Sequence, residues 1–135
     1  MKSLKTIAFW LTLITGLLLL FIGARFFLSP IVAENDFGIS LNTHHDYSFH
    51  YIKGARDIFS GLILIFLLRA KEFRALGIIL LCSIVIPFTD LLVVISHPGY
   101  QADKPYPHII AILIGLMLGI YYLYLTSKKN THATI

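Results

Sequence analysis

The chain has 135 residues, 57% of them hydrophobic and 13% charged, with 11 basic residues against 7 acidic ones and a mean hydropathy of +0.80. Soluble domains carry about 25% charged residues, so this composition excludes a disordered chain and a water-soluble enzyme, and a net charge of +4 is too small to argue for nucleic-acid binding. A single cysteine, Cys82, permits no internal disulfide and no cysteine-based zinc site.

What fits is a small integral membrane protein, in which a crossing helix needs about 20 mostly apolar residues. The first predicted helix covers about 6–28: residues 6–24 are free of charge, the apolar character continues past Arg25, and Ser29-Pro30 stops it. Lys2 and Lys5 before this run have the look of a signal peptide, but the run is long and Ile22-Gly23-Ala24 is a poor cleavage site, so a retained span is expected. A loop follows. The second helix is expected over 48–68; its charge-free part, 58–68, is too short to cross alone, and extension back to Ser48 brings in His50, Lys53, Arg56 and Asp57. The third helix, 75–96, is interrupted only by Pro87 and Asp90 and ends at His97-Pro98-Gly99. The fourth, 108–126, follows Pro105 and Pro107 and precedes a short polar tail over 128–135, read as cytoplasmic. The runs are continuous rather than alternating, which favours helices over barrel strands. The expected fold is therefore all-α, a four-helix integral membrane bundle.

Seven basic residues (Lys2, Lys5, Arg69, Lys71, Arg74, Lys128 and Lys129) fall on one side of this arrangement with one acid, Glu72. The other side holds four basic and six acidic residues. The positive-inside rule then places both termini and the short middle loop in the cytoplasm and the two longer loops outside, as in the inner membrane of a bacterial-type cell.

The charges that fall inside the predicted helices mark a candidate site. Counting in from the helix ends, Asp57 lies about 9 Å deep and Asp90 about 10 Å deep, so two carboxylates on different helices reach a similar level. Arg25, Lys53 and Arg56 lie near that level, and His97 and His108 flank it. An isolated charge there costs about 2.5–3.5 kcal/mol, so pairing is expected: Arg25 or Arg56 with Asp57 and with Asp90, and Lys53 with Asp57 at i,i+4. Pro87 has no N–H for the Ser83 carbonyl, which is expected to be left free. His50, Lys53, Asp57, Ser60 and Gly61 share one helix face, while Ile58, Phe59, Leu62, Ile65 and Phe66 are expected to face lipid. Gly115 and Gly119 form a GxxxG ridge, and Thr12, Gly16 and Gly23 a similar small-residue ridge.

His44, His45 and Asp46 before the second helix and His50 at its start, with His97 and His108, offer metal-ligand types, but their spacing matches no ligand motif and no metal is expected. The order Gly23-Ala24-Arg25-Phe26, Ser29-Pro30, residues 33–38, Lys53-Gly54-Ala55-Arg56-Asp57, Gly61, Pro87 and Asp90 resembles small four-span membrane proteins of an uncharacterised domain-of-unknown-function family, distantly DoxX-like. The resemblance implies a four-helix membrane bundle over most of the chain. Some DoxX-like proteins are similar to redox subunits, yet this chain shows no haem or flavin motif, and no cofactor is expected.

Two functional readings follow. In the first, Arg25, Lys53, Arg56, Asp57, Asp90, His97 and His108 line an outer-half pocket that binds a lipid or other amphipathic small molecule. In the second, the charges form a structural ion-pair network in a non-catalytic subunit or scaffold, and the GxxxG ridge docks an oligomer partner or another membrane protein. A proton-coupled transporter would need oligomerisation, since four spans show no repeat. No pattern identifies a reaction.

Overall fold

A computed structural model describes residues 2–41 and 46–131. Among them are helices α1 (Lys2–Leu28), α2 (Pro30–Phe37), α3 (Ser48–Arg69), α4 (Phe73–Cys82), α5 (Val85–Ser96) and α6 (Tyr106–Thr131), and no strand. Three stretches are long and apolar enough to cross a membrane: Ser3–Leu28, Phe73–Ser96, which joins α4 to α5, and Tyr106–Ser127. Their outward faces carry Ile14, Leu17, Phe21, Val85, Leu113 and Met117, all exposed, as lipid-facing side chains are. The molecule is an all-α membrane protein. α3 is 22 residues long, about 33 Å at helical rise, but the charges in its first half lower its apolar character.

The helices form two hairpins whose backbones touch at glycines. In the first, α1 and α3 run antiparallel with Gly16 opposite Gly61 and Gly23 opposite Gly54. A Cβ on Gly61 would lie 2.6 Å from the Gly16 carbonyl oxygen, and one on Gly23 would lie 2.7 Å from that of Gly54. Ile58 and Ile65 are half-buried rather than lipid-facing, because they close over Gly23 and Gly16; Phe59, Leu62 and Phe66 are exposed. In the second hairpin α6 lies against α4 and α5. Gly119 meets Leu81, and Gly77 approaches the Gly119 carbonyl at 3.1 Å from a built Cβ. The GxxxG ridge is thus used inside the chain, to seat α4. Lipid gives apolar helices no hydrophobic drive to associate, so this close backbone approach, with its dispersion contacts, is what holds such pairs.

The hairpins meet through a turn at Lys71, a non-glycine residue at φ 58°, where the N–H groups of Lys71 and Glu72 reach back to the carbonyls of Leu68 and Leu67. Beneath it Ala8, Leu64, Leu68, Leu76, Leu80, Leu118 and Tyr122 form one core cluster drawn from α1, α3, α4 and α6. The hydroxyls of Thr12 and Tyr122 lie 2.9 Å apart, and both donate to the Ala8 carbonyl. A second cluster at the opposite end packs Phe26, Ala33, Phe37, Ile39 and Val94.

Three expectations need correction. The helix expected over 75–96 is two helices. Proline has no N–H and its ring crowds the carbonyl four residues back, so Pro87 breaks the ladder at Ser83 and Ile84. The Ser83 carbonyl is not free, because the tightened turn lets Ile86 N–H bond to it at 3.0 Å. The segment between the first two long helices is not all loop: it holds α2, opened by Ser29 and Pro30 and closed by Gly38 at φ 103°, whose N–H bonds to the Glu34 carbonyl at 3.0 Å. A built Cβ on Gly38 would lie 2.6 Å from Lys104 Cβ, so backbone angle and close packing both require glycine there.

Candidate functional site

Helix α3 brings Lys53, Arg56 and Asp57 to the level of Asp90 on α5. Lys53 and Asp57 are one turn apart, so their side chains meet on one face, and Lys53 Nζ donates to Asp57 Oδ2 at 3.0 Å. The same ammonium reaches Asp90 Oδ2 at 3.2 Å. Arg56 holds Asp90 with both arms of its fork, at 3.1 and 2.8 Å, and its Nε donates to Asp57 Oδ1 at 3.2 Å. Two cations and two carboxylates thus form one closed, neutral network in which all four carboxylate oxygens accept hydrogen bonds. Lys53, Asp57 and Asp90 are buried, and the Arg56 side chain is 32% exposed. The Lys53 ammonium also lies over the rings of Phe26 and Phe37, at 5.0 and 4.5 Å from their centroids, which stabilises a desolvated cation from its apolar side.

A cavity of about 410 Å³ opens beside this network. Lys53, Asp57, Asp90, His108, Arg25 and Asp36 line its polar end, and Leu18, Leu19, Ile22, Leu64, Leu80 and Ile114 line its apolar end. Ala33, Asp36 and Phe37 of α2 form part of the wall. Ser83 and Pro87 also line it, so the break between α4 and α5 faces the cavity.

The sequence-predicted residues separate here. Lys53, Arg56, Asp57 and Asp90 are brought together. Arg25 lines the cavity but pairs with neither intramembrane carboxylate; its guanidinium bonds to Asp36 of α2 at 2.6 Å. The alternative pairings that gave Arg25 to Asp57 or Asp90 are corrected by the presence of that nearer acid. His108 lines the cavity and donates to the Phe37 carbonyl at 3.4 Å. His97 is turned away from the cavity lining and accepts from the Ser40 N–H at 3.2 Å. His44 and His45 lie outside the described residues. Among the described residues no three of His, Cys, Asp or Glu gather as a metal ion would need. Asp46 instead supports the start of α3, accepting from Ser48 N–H at 2.9 Å and from its hydroxyl at 2.5 Å, bonds that hold this carboxyl below its ordinary pKa.

Sequence reasoning missed a second buried polar pair. Glu34 of α2 accepts from His50 Nε2 at 2.6 Å and from the Leu41 N–H at 2.9 Å. Both side chains are almost fully buried, and His50 sits among Phe26, Tyr47 and Phe49. Among the described residues its Nδ1 has no hydrogen-bond partner. The signal for it was present: serine and proline before the segment and glycine after it mark a short helix, and Ala33, Glu34 and Phe37 fall on one face of that helix.

No curated protein and no solved structure matches the chain. One family model does, over residues 16–122, which takes in about half of α1, all of α3, the charged network, nearly all of the cavity lining and most of α6. The chain therefore belongs to the family described as a domain of unknown function, DUF4267.

Proposed function

We propose that this chain is a four-span membrane protein that binds a lipid or other amphipathic small molecule, with α3 as the fourth crossing. The polar head sits at the Lys53, Arg56, Asp57 and Asp90 network and the tail lies along the apolar wall. The observation that carries this reading is the cavity itself, whose roughly 410 Å³ joins buried charge at one end to leucine and isoleucine at the other. Ligand pockets have this size and this mixture of apolar wall and few convergent polar groups. Charge distribution supports a cytoplasmic location for both termini and the Lys71 turn, an outward-facing network, and residence in the inner membrane of a bacterial-type cell. A distant DoxX-like kinship belongs to the same proposal and rests on the Lys53-Gly54-Ala55-Arg56-Asp57 sequence with Pro87 and Asp90.

The test is a variant that fills the cavity without touching the network. Ala111 lines the cavity and is exposed on α6, so Ala111→Phe adds bulk with little strain on the bundle. The amphiphile retained by the purified protein should fall severalfold with the melting temperature unchanged. Equal retention by the variant, or no amphiphile retained by the parent, contradicts the reading.

A second reading has its own support. Every oxygen of Asp57 and Asp90 is already paired, as in a network that fixes helix register within a larger assembly. A partner helix would then lie on the exposed apolar faces, since Gly115 and Gly119 are occupied by α4. Isolation as a stable heteromeric complex in mild detergent would favour it.

A further inference from the structure

At the end of the molecule opposite the charged network lies a second cavity, of about 550 Å³, lined by residues from α1, the Lys71 turn, α4 and α6. Three cations stand around it: Lys5, Lys71 and Arg74. All three are exposed, and among the described residues none has a carboxylate within ion-pair distance. This contrasts with the other cavity, where the lining cations Arg25 and Lys53 are both paired. The start of α4 borders the same space, and no side chain caps that helix end, so its first N–H groups add positive potential. Phe9, Phe73, Tyr121 and Leu125 complete the wall. Glu72 is the one acid in the lining.

We propose that this cavity binds the phosphate headgroup of an anionic membrane lipid, with the first segment of its acyl chain against the aromatic wall. Three unpaired cations from three separate elements converge where an apolar bundle ends, and an apolar wall rises from them. A basic pocket between helices at the membrane surface has the chemistry for such a headgroup. The phosphate is the recognised group, and the apolar wall selects the lipid over a soluble phosphate. This site is separate from the network cavity and stands without the reading given for it.

Native mass spectrometry of the intact protein in mild detergent, with phosphatidylglycerol and phosphatidylcholine added in equal amounts, tests the proposal. The parent should retain phosphatidylglycerol in preference, and Lys5→Gln, Lys71→Gln and Arg74→Gln should each lower that preference, by about fivefold per cation. Arg69→Gln, an exposed cation outside the lining, should leave it unchanged. Equal retention of both lipids by the parent, or an equal loss in Arg69→Gln and Lys71→Gln, overturns the proposal. Binding of inorganic phosphate as tight as that of phosphatidylglycerol, measured without added lipid, would reassign the site to a soluble anion and overturn its lipid part.

Discussion

At the scale of single residues, burial decides what each charge does. Lys53 joins two carboxylates, and its removal leaves Asp57 and Asp90 sharing one partly exposed arginine. Breaking a buried ion pair costs about 3–5 kcal/mol, whereas replacing both partners with apolar groups is far milder. Lys53→Met should therefore lower the melting temperature in detergent sharply, and Lys53→Met with Asp57→Leu should recover much of the loss. A double variant less stable than the single one would show that the network is not the source of the cost. Glu34 accepts from two donors, Leu41 N–H and His50 Nε2. Glu34→Ala strands the buried His50 ring nitrogen, at about 1–3 kcal/mol, while water can reach the N–H of the exposed Leu41, and the fall should appear in the same thermal scans. The four network residues were legible in the sequence because each stands out against an apolar run. Arg25 was visible but its partner was not, since Asp36 looked like a loop acid until α2 turned it back toward α1. Glu34 and His50 were hidden for the same reason: pairing across 16 residues depends on the path of the segment between them.

At the scale of elements, glycine spacing sets which helices touch. The long helices were legible because each is an unbroken apolar run or has its charges on one face. Which helix packs on which was not legible, because small residues recur along α1, α3 and α6 alike and sequence does not name the partner. The contacts predict different tolerances. A methyl group on Gly61 would press on the Gly16 carbonyl at 2.6 Å, while one on Gly115 meets the flexible side chain of Ile84 at 3.3 Å. Gly61→Ala should cost about 1–3 kcal/mol by forcing backbones apart, and Gly115→Ala should be close to neutral. Melting temperatures of the two variants read this directly, and equal losses would contradict the assigned pairing. The break at Ser83 and Ile84 follows from Pro87, which was legible; that Ile86 would satisfy the carbonyl was not, because it depends on local tightening of the turn.

At the scale of the whole molecule, the two ends differ in charge and in pairing. One end gathers Lys5, Lys71 and Arg74 without ion-pair partners among the described residues, and the other joins Arg25, Lys53 and Arg56 to Asp36, Asp57 and Asp90. If α3 crosses the bilayer, reporter fusions at Asn42 and Asn130 should report opposite sides, with Asn130 cytoplasmic. The same side for both would remove α3 as a span. The central claim is that an amphiphile occupies the network cavity with its head on Asp90 and its partners. Mass spectrometry of what co-purifies with the parent protein and with Asp90→Asn in native detergent micelles tests it most directly. The account predicts a bound amphiphile with the parent and its loss from an Asp90→Asn variant that still folds; an empty parent, or the same amphiphile retained equally by both, would contradict it.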